Sequence, residues 1–292
     1  YILTNDDDSH SDGIIIKYRS TGEVDWVKSI AGEYDKNIFS VAGTEDGGVL
    51  VGGCFDDIEL KLGEFILTNR SNIGNAMIIK YSGIGEVEWA RSEGGNRRDC
   101  IFSVAEVSDN TYVAVGYFES TEIQVGEHIF SNTGDEDAMI IKYSKIELAN
   151  VEPTKAEAIG ENSDEQIYSV DATRDGGYIV GGSYASKEIK IGDYTLVNDG
   201  YSYEEDGMLI KYNENGEVEW TKKVGGSRSD EILAVSETSD GGYIVGGFSY
   251  SSGIQVGKDI LTNSGGMVIK YNSIGEVEWA RSIEKSTESR SE

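Results

Sequence analysis

Residues 208–220 read MLIKYNENGEVEW, and copies of this stretch recur along the chain. The first part of the stretch has five copies, which contain Lys17, Lys80, Lys142, Lys211 and Lys270. Successive lysines lie 63, 62, 69 and 59 residues apart. Self-similarity at a nearly fixed period predicts a repeat architecture, in which one structural unit is built several times.

Each period holds four strand-like runs, which we label A to D in chain order. Run A is of the type Ile38–Val41, and run B is of the type Val49–Gly53, with Asp-Gly-Gly or a close variant between them. Run C is the lysine segment, and run D begins Gly-Glu-Val-acidic-Trp in most copies. The runs are short and rich in Val, Ile, Tyr and Trp, as strands are, and Asp-Gly-Gly supplies the positive φ of a tight hairpin. Runs C and D occur five times, but runs A and B occur only four times.

Four antiparallel strands in a period of about 60 residues are typical of a β-propeller blade. We predict a single all-β propeller domain over 1–283, with four complete blades and a two-stranded half-blade, as a five-bladed ring or part of a larger ring. The predicted bounds are 1–31 for the half-blade, 32–95, 96–160, 161–226 and 227–283 for the blades, and 284–292 for an acidic, polar tail. The only proline, Pro153, falls on run D. This favours D as the outer edge strand, where a missing N–H costs no ladder hydrogen bond.

Runs C and D have a constant spacing. Nine residues separate a lysine from a tryptophan in the pairs Lys17–Trp26, Lys80–Trp89, Lys211–Trp220 and Lys270–Trp279. If Tyr18 pairs with Glu23, then Lys17 lies opposite Val24 and diagonal to Trp26. We interpret the pairs as lysine stems packed along indole faces, with some cation–π character and a structural role. A ligand-gripping aromatic cage is the alternative. The same count gives Val151 the tryptophan position in the third copy.

The chain is strongly acidic, with a formal net charge of −28 from 53 acidic and 25 basic residues. This balance argues against nucleic acid as a partner and against docking on an anionic membrane surface, because both need clustered Lys and Arg. No apolar run reaches the roughly 18 residues that membrane insertion requires. Cys54 and Cys100 form no CxxC pattern. We expect two buried thiols, and a disulfide remains the open alternative.

Two sets of acidic residues are candidate sites. Oxygen-rich loops can hold Ca²⁺, so the acids before run C are candidate calcium ligands, although solvated loops are the simpler interpretation: Asp12, Asp137 and Asp206. A second set precedes run A and is expected at one mouth of the propeller channel: Asp99, Asp164 and Asp230. We find no phosphate-binding loop, metal-ligand spacing or catalytic triad pattern, and we assign no catalytic residue.

The motifs resemble the SBBP-type β-propeller repeat family of bacterial surface and secreted proteins. The resemblance rests on Asp137–Tyr143 and on Gly216–Trp220 followed by Gly225-Gly226, and it extends over nearly the whole chain except the tail. It implies a propeller fold and a place outside the cell or on its surface. The family carries no agreed catalytic residues, so the resemblance implies none here.

The leading functional prediction is a non-enzymatic binding or adhesion module that engages a protein or glycan through loops on one propeller face. One alternative is a carboxylate- or Ca²⁺-dependent, glycan-active enzyme with its site at the channel mouth. Another is a structural part of a larger surface assembly. The uneven count of runs adds a further expectation, because a half-blade exposes sheet edges that can accept partner strands or a second copy.

Overall fold

A computed structural model describes residues 9–71, 73–147, 150–201, 203–262 and 265–283. These residues form strands and turns only, so the all-β prediction is confirmed. Within these ranges no helix has the length and apolar character that crossing a membrane would require. The acidic tail at 284–292 and the acidic residues 6–8 lie outside the described part. The chain divides into two compact units, residues 1–162 and 163–292, which are described separately.

Unit 1 contains the N-terminal hairpin and two four-stranded sheets. The N-terminal hairpin pairs β1 (Gly13–Tyr18) with β2 (Val24–Ile30). The strands of sheet 1 and its arm follow: β3 (Lys36–Gly43), β4 (Val49–Phe55), β5 (Glu59–Leu62), β6 (Phe65–Thr68), β7 (Asn75–Tyr81) and β8 (Val87–Glu93). Those of sheet 2 come next: β9 (Asp99–Ser108), β10 (Thr111–Phe118), β11 (Glu122–Val125), β12 (His128–Ser131), β13 (Asp137–Glu147) and β14 (Asn150–Ile159).

Unit 2 contains two sheets of the same design. Sheet 3 and its arm comprise β15 (Glu165–Ala172), β16 (Tyr178–Tyr184), β17 (Glu188–Ile191), β18 (Tyr194–Val197), β19 (Asp206–Tyr212) and β20 (Val218–Val224). Sheet 4 and its arm comprise β21 (Asp230–Glu237), β22 (Tyr243–Ser249), β23 (Ile254–Val256), β24 (Asp259–Leu261), β25 (Gly265–Tyr271) and β26 (Val277–Ile283). In all four sheets the strands lie in the antiparallel order A–B–C–D, and the two arm strands form a separate hairpin between B and C. The four-stranded repeat is therefore confirmed.

In sheets 1, 3 and 4, the side chain of one aspartate stabilises the turn between strands A and B. Asp46 accepts hydrogen bonds from the Thr44 hydroxyl and the Gly48 N–H, and Gly47 has a φ of 78°. A left-handed backbone of this kind favours glycine. Asp175 and Asp240 make the same two contacts in sheets 3 and 4.

The register between strands C and D differs from the sequence-based expectation. Lys17 lies directly opposite Trp26, and Tyr18 lies opposite Val24, so Asp25 is an extra, bulged residue. The residue before the tryptophan is bulged at the same place in sheets 1, 3 and 4. The diagonal lysine–tryptophan register was wrong because counting from the turn assumes an unbroken ladder, whereas a bulge shifts every later pair by one residue.

Sheet 2 has the longest C–D hairpin, with strands of 11 and 10 residues. Pro153 lies on β14, which is an edge strand, as the sequence predicted. The extra length moves the register, so that Lys155 rather than Val151 lies opposite Lys142. Assigning Val151 to the tryptophan position was therefore wrong.

Adjacent sheets within each unit pack by placing side chains of strand A over a glycine of the preceding strand B. A Cβ at Gly52 would lie 2.7 Å from both Ile101 and Val104, and a Cβ at Gly181 would lie 2.5 Å from Ile232. The absent side chain lets neighbouring sheets approach. The Ser40 hydroxyl accepts the N–H of Val104 at 3.2 Å across the same contact.

An asparagine ties each of three arms to its sheet. Asn69 donates from its side-chain amide to the Phe55 carbonyl at 3.1 Å. Asn132 and Asn198 make the equivalent bond to the last residue of strand B in sheets 2 and 3. The asparagine that ends the arm motif therefore fixes where strand C begins.

Candidate functional site

Two of the acids assigned to a channel mouth are buried within their own sheets. Asp99 is fully buried and accepts the N–H of Gly95 at 2.9 Å and both the hydroxyl, at 2.7 Å, and the N–H of Ser120. Asp230 is bound in the same way by Gly226 and Ser251. Desolvation raises the pKa of Asp99 to about 6 against the effect of these hydrogen bonds. Each carboxylate thus joins the loop before strand A to the corner after strand B.

The third acid of that set was misaligned. In sheet 3 the buried position belongs to Glu165, which lies opposite Tyr184 and accepts the N–H of Ser186 at 2.9 Å. Asp164 is one residue earlier in the chain, in the loop. Asp99 and Glu165 both lie two residues before the isoleucine of strand A, Ile101 or Ile167. Distance from this isoleucine therefore identifies the equivalent position, whereas matching aspartate to aspartate does not.

Sheet 1 makes the same connection with the charges reversed. Lys36 stands where Asp99 stands in sheet 2, and Asp57 stands where Ser120 stands. The two side chains form an ion pair of 2.9 Å in which the Lys36 side chain is fully buried, and Lys36 also donates to the Tyr34 carbonyl. In all four sheets, therefore, a buried side chain at the start of strand A bonds to the corner after strand B. In three sheets that side chain is a carboxylate, and these carboxylates are the ones a catalytic site at the channel mouth would have used.

The calcium candidates occupy equivalent positions at or just before the start of strand C. Asp137 and Asp206 are buried, whereas Asp12 is partly buried with Oδ1 3.8 Å from Lys36 Nζ. A Cβ on Gly160 would lie 2.1 Å from Oδ1 of Asp137, and one on Gly225 would lie 2.0 Å from Oδ1 of Asp206. The glycine after strand D is thus what makes room for the carboxyl group.

The surroundings of these carboxyls do not resemble a metal centre. Asp206 accepts the N–H of Asp199 at 3.1 Å, and Lys223 Nζ is 3.5 Å away. Desolvation raises the pKa of Asp137 to about 7, with a further contribution from Glu161. Across the described ranges no three His, Cys, Asp or Glu side chains are grouped as metal ligands. Calcium binding stays a prediction for these three residues.

Three of the five repeated lysines have buried side chains that form ion pairs with partly exposed acids. Lys80 Nζ lies 2.8 Å from Asp46 of the A–B turn, 3.2 Å from Glu88 and 3.2 Å from the Tyr81 carbonyl. Glu88 is the bulged residue of strand D, so the bulge directs its carboxylate to the lysine. Lys211 and Lys270 have the equivalent three partners in sheets 3 and 4. We call this arrangement the lysine clamp.

Cation–π geometry occurs at one of the four expected pairs, Lys17 and Trp26, with Nζ 6.0 Å from the ring. The cations near Trp220 and Trp279 are instead Lys222 and Arg281. Trp26, Trp89 and Trp220 pack on tyrosines, and Trp89 lies 5.3 Å from Tyr112 between ring centroids. These contacts lie within the described sheets, so they indicate a packing role for these three tryptophans.

A group of exposed tyrosines in unit 2 is the strongest candidate for ligand contact. Tyr201 and Tyr203 are 80% and 88% exposed in the loop before strand C of sheet 3, and Tyr250 is 53% exposed after strand B of sheet 4. We call these three residues the tyrosine patch. Tyr203 has a φ of 72°, which is unusual for a bulky side chain. Strained backbone of this kind concentrates at functional sites.

One serine links the two loops of the patch. The Glu204 carboxylate accepts both the hydroxyl and the N–H of Ser229 at 2.6 Å, and the Ser229 carbonyl accepts the N–H of Tyr250 at 2.9 Å. Glu204 and Tyr250 are therefore both held by bonds to Ser229. Sequence reasoning missed this loop, although Asn198 and Asp206 are eight residues apart where Asn132 and Asp137 are five apart, which signals an insertion before strand C of sheet 3.

Two adjoining grooves lie in unit 1, with volumes of about 570 and 520 Å³, and they share Lys61. Lys28, Glu64 and Val87 line the first, and Tyr34 and Asp57 line the second. Neither groove contains an acid from the two candidate sets. Comparison with protein-family models and with curated proteins gave no match to this chain.

Proposed function

We propose that this protein is a non-enzymatic binding module on a β-propeller scaffold, displayed outside the cell or on its surface. The tyrosine patch carries the proposal. Exposed tyrosines supply large, rigid contact surfaces with a hydroxyl at the tip, which is why they are common in binding loops. The partner is a protein or a glycan, and the nearby Asp199 and Glu204 would accept hydrogen bonds from its hydroxyl or amide groups.

The propeller itself is part of the proposal. Sequential A–B–C–D sheets, each following its predecessor in the chain, support it, as does the packing of Ile101 and Val104 over Gly52. The N-terminal hairpin would be the outer half of a further blade. An experimental structure tests this directly: sheets arranged about a central axis are expected, and a linear stack would refute the propeller.

A glycan array and a panel of purified extracellular proteins test the binding function. We expect saturable binding that is lost in a Tyr201→Ser/Tyr203→Ser/Tyr250→Ser variant. A Tyr34→Ser variant is the matched control, because Tyr34 is an exposed tyrosine of unit 1 that lies beside His10. Binding that survives loss of the patch, or no binding to either panel, would refute the proposal.

The enzymatic alternative has less support. Asp99, Glu165 and Asp230 accept hydrogen bonds from neighbouring loops and are fully buried. A calcium titration followed by thermal denaturation tests the metal-dependent form of this alternative, which requires a shift in Tm that is lost on Asp137→Asn or Asp206→Asn substitution. A structural role in a larger assembly is favoured by a separate observation, the open edge of the N-terminal hairpin.

A further inference from the structure

Within the described part of the chain, the N-terminal hairpin has no strands A and B beside it. In each four-stranded sheet, strand C is paired with strand D on one side and with strand B on the other. Strand β1 is a C strand that pairs only with β2 within the described residues. It therefore presents a row of unpaired backbone groups on one edge, and such an edge is a template for a further strand.

The side chains of β1 on one face are exposed where their equivalents are buried. Ile14, Ile16 and Tyr18 are 51%, 43% and 58% exposed, whereas the equivalent Met77, Ile79 and Tyr81 of sheet 1 are at most 2% exposed. The face is apolar and follows every second residue of the strand. In sheet 1 the equivalent residues belong to one apolar cluster with Ile15, Trp26 and Ile30 of the preceding hairpin. This face of β1 is therefore the one that packs on a preceding sheet, whereas strands A and B would add at the edge of β1.

A second exposed feature lies beside it on sheet 1. Val41 of strand A is 58% exposed, although the equivalent Val104 of sheet 2 is 4% exposed because it packs over Gly52 of the preceding strand B. Val41 and Ile38 thus present the packing side chains of strand A without a glycine of strand B to receive them. Two features therefore indicate where strands A and B would add: the free edge of β1, and the Ile38 and Val41 side chains of sheet 1.

Within the described residues, Lys17 contacts no aspartate of the kind that Lys80, Lys211 and Lys270 contact. In the lysine clamp, an aspartate from the A–B turn reaches the ammonium group. Lys17 instead donates to the carbonyls of Gly47 at 2.7 Å and Gly83 at 2.9 Å, which belong to turns of sheet 1. A carboxylate from an A–B turn would restore the usual partner.

We propose that the N-terminal hairpin accepts, at the free edge of β1, a two-stranded hairpin with the A–B sequence of this repeat. The register follows from the existing sheets: Tyr178 lies opposite Tyr212 and Gly181 opposite Leu209, so an added strand B places its tyrosine opposite Tyr18 and its first glycine opposite Ile15. That glycine then faces Ile38 and Val41. The four A–B hairpins described here each already belong to a sheet. A second copy of this chain could therefore supply one of them only if one of its own sheets came apart.

A synthetic peptide with the sequence of residues 165–184 tests this acceptor site. It contains strand A, the Asp175 turn and strand B of sheet 3. We expect saturable one-to-one binding to the full chain by calorimetry. Hydrogen–deuterium exchange of residues 13–18 should slow at least about tenfold when the peptide is bound, because strand addition protects amides that the free edge exposes.

Matched peptides define the mode of docking. A Gly181→Val peptide fills the space that Val41 needs and should bind at least about tenfold more weakly. An Asp175→Asn peptide loses the carboxylate for Lys17 and should bind more weakly, with a smaller dependence on salt. On the protein, Val41→Lys should weaken binding because Val41 faces the added glycine, whereas Ile129→Lys, at an exposed residue of the sheet 2 arm, should not.

Three outcomes would overturn the proposal. The first is no binding at millimolar peptide. The second is binding that leaves exchange of residues 13–18 unchanged or that tolerates Gly181→Val. The third is self-association of the chain that already protects residues 13–18 without peptide. The site is separate from the tyrosine patch, so loss of patch binding does not affect this test.

Discussion

Lys211 and Asp175 form an ion pair of 2.8 Å in which the lysine is 1% exposed and the aspartate is about half exposed. Desolvation opposes ionisation of Asp175, but the hydrogen bonds from Lys211, Thr173 and Gly177 hold its pKa below the ordinary value. Glu219 completes the clamp at 3.0 Å. The charge on the lysine is therefore stabilised mainly by its two acids, because the lysine side chain is shielded from water. The acids are partly exposed, so water stabilises their charges as well.

This asymmetry predicts different costs for the two sides of the clamp. Asp175→Asn with Glu219→Gln leaves a buried cation without its counter-ions and should lower the free energy of unfolding by about 3–5 kcal/mol. Lys211→Met removes the cation itself and should cost less, about 1–2 kcal/mol. Urea denaturation measures both, with the exposed Lys258→Met as control. Equal costs for the two sides would contradict the prediction.

The glycine of strand B offers a matched pair of substitutions within unit 2. A Cβ at Gly181 would meet Ile232 at 2.5 Å and Val235 at 2.7 Å, whereas a Cβ at Gly246 would meet nothing within 4 Å. Gly181→Ala should therefore destabilise the protein by about 1–3 kcal/mol through overpacking. Gly246→Ala should change stability by less than about 1 kcal/mol, in the stabilising direction. Thermal or urea denaturation of the two variants tests this, and similar losses would contradict the packing described.

Burial of Glu93 predicts a loss of stability as the pH rises from about 4.5 to about 7. Desolvation raises the pKa of Glu93 to about 7, against a 3.2 Å hydrogen bond donated by the Tyr143 hydroxyl. The folded state therefore holds a proton that the unfolded state releases between about pH 4.5 and pH 7, so stability falls as pH rises through this window. From pH 5.5 to pH 8 we expect this group to cost about 2 kcal/mol.

A Glu93→Gln variant should reduce the fall in stability across that window and be more stable than the parent at pH 8. The exposed Glu64→Gln variant removes the same charge without burial and should keep the parental pH dependence. Denaturant titrations at several pH values compare the three proteins. An unchanged pH dependence in Glu93→Gln would show that other groups cause the fall.

The two cysteines should be unreactive in the folded protein. Cys54 and Cys100 are 0% and 2% exposed, and they pack together beside Tyr117. A hydrogen bond with Cys54 and desolvation both raise the pKa of Cys100, so little of its reactive thiolate form is present at neutral pH. A colorimetric thiol reagent should label neither group within minutes under native conditions and should label both in denaturant. Rapid native labelling would contradict this burial.

The strands were predictable from the sequence because each repeat confirms the others. In three of the four sheets the pair Asp46 and Gly52 recurs six residues apart and the pair Lys80 and Trp89 nine residues apart, and this consistency defines strands A to D and their order. The C–D register was not predictable from the same counts, because the bulge at Glu88 alters pairing without altering spacing. The contact of Glu88 with Lys80 was not predictable either, because the sequence does not distinguish a glutamate at a bulge from one on a regular strand.

The buried carboxylates were misjudged for a related reason. Acidic residues before strand A suggested a solvent-lined mouth, yet Asp99 and Asp230 are internal. One signal was available: where Lys36 replaces the acid, Asp57 replaces the serine found at that place in the other repeats. Paired changes between distant positions of a repeat indicate contact. The tyrosine patch had no such signal: spacing marks an insertion before strand C of sheet 3, but no paired change elsewhere in the repeat indicates what the inserted residues contact.

The lysine clamp also bears on how such a chain can grow or shrink. All three charges of each clamp come from one four-stranded sheet. A duplication or deletion that moves a complete sheet therefore leaves no buried lysine without its acidic partners. A break between strands B and C would separate the cation from its aspartate. Charge balance within the repeat thus favours inheritance by whole sheets, with recombination boundaries between strand D and the next strand A.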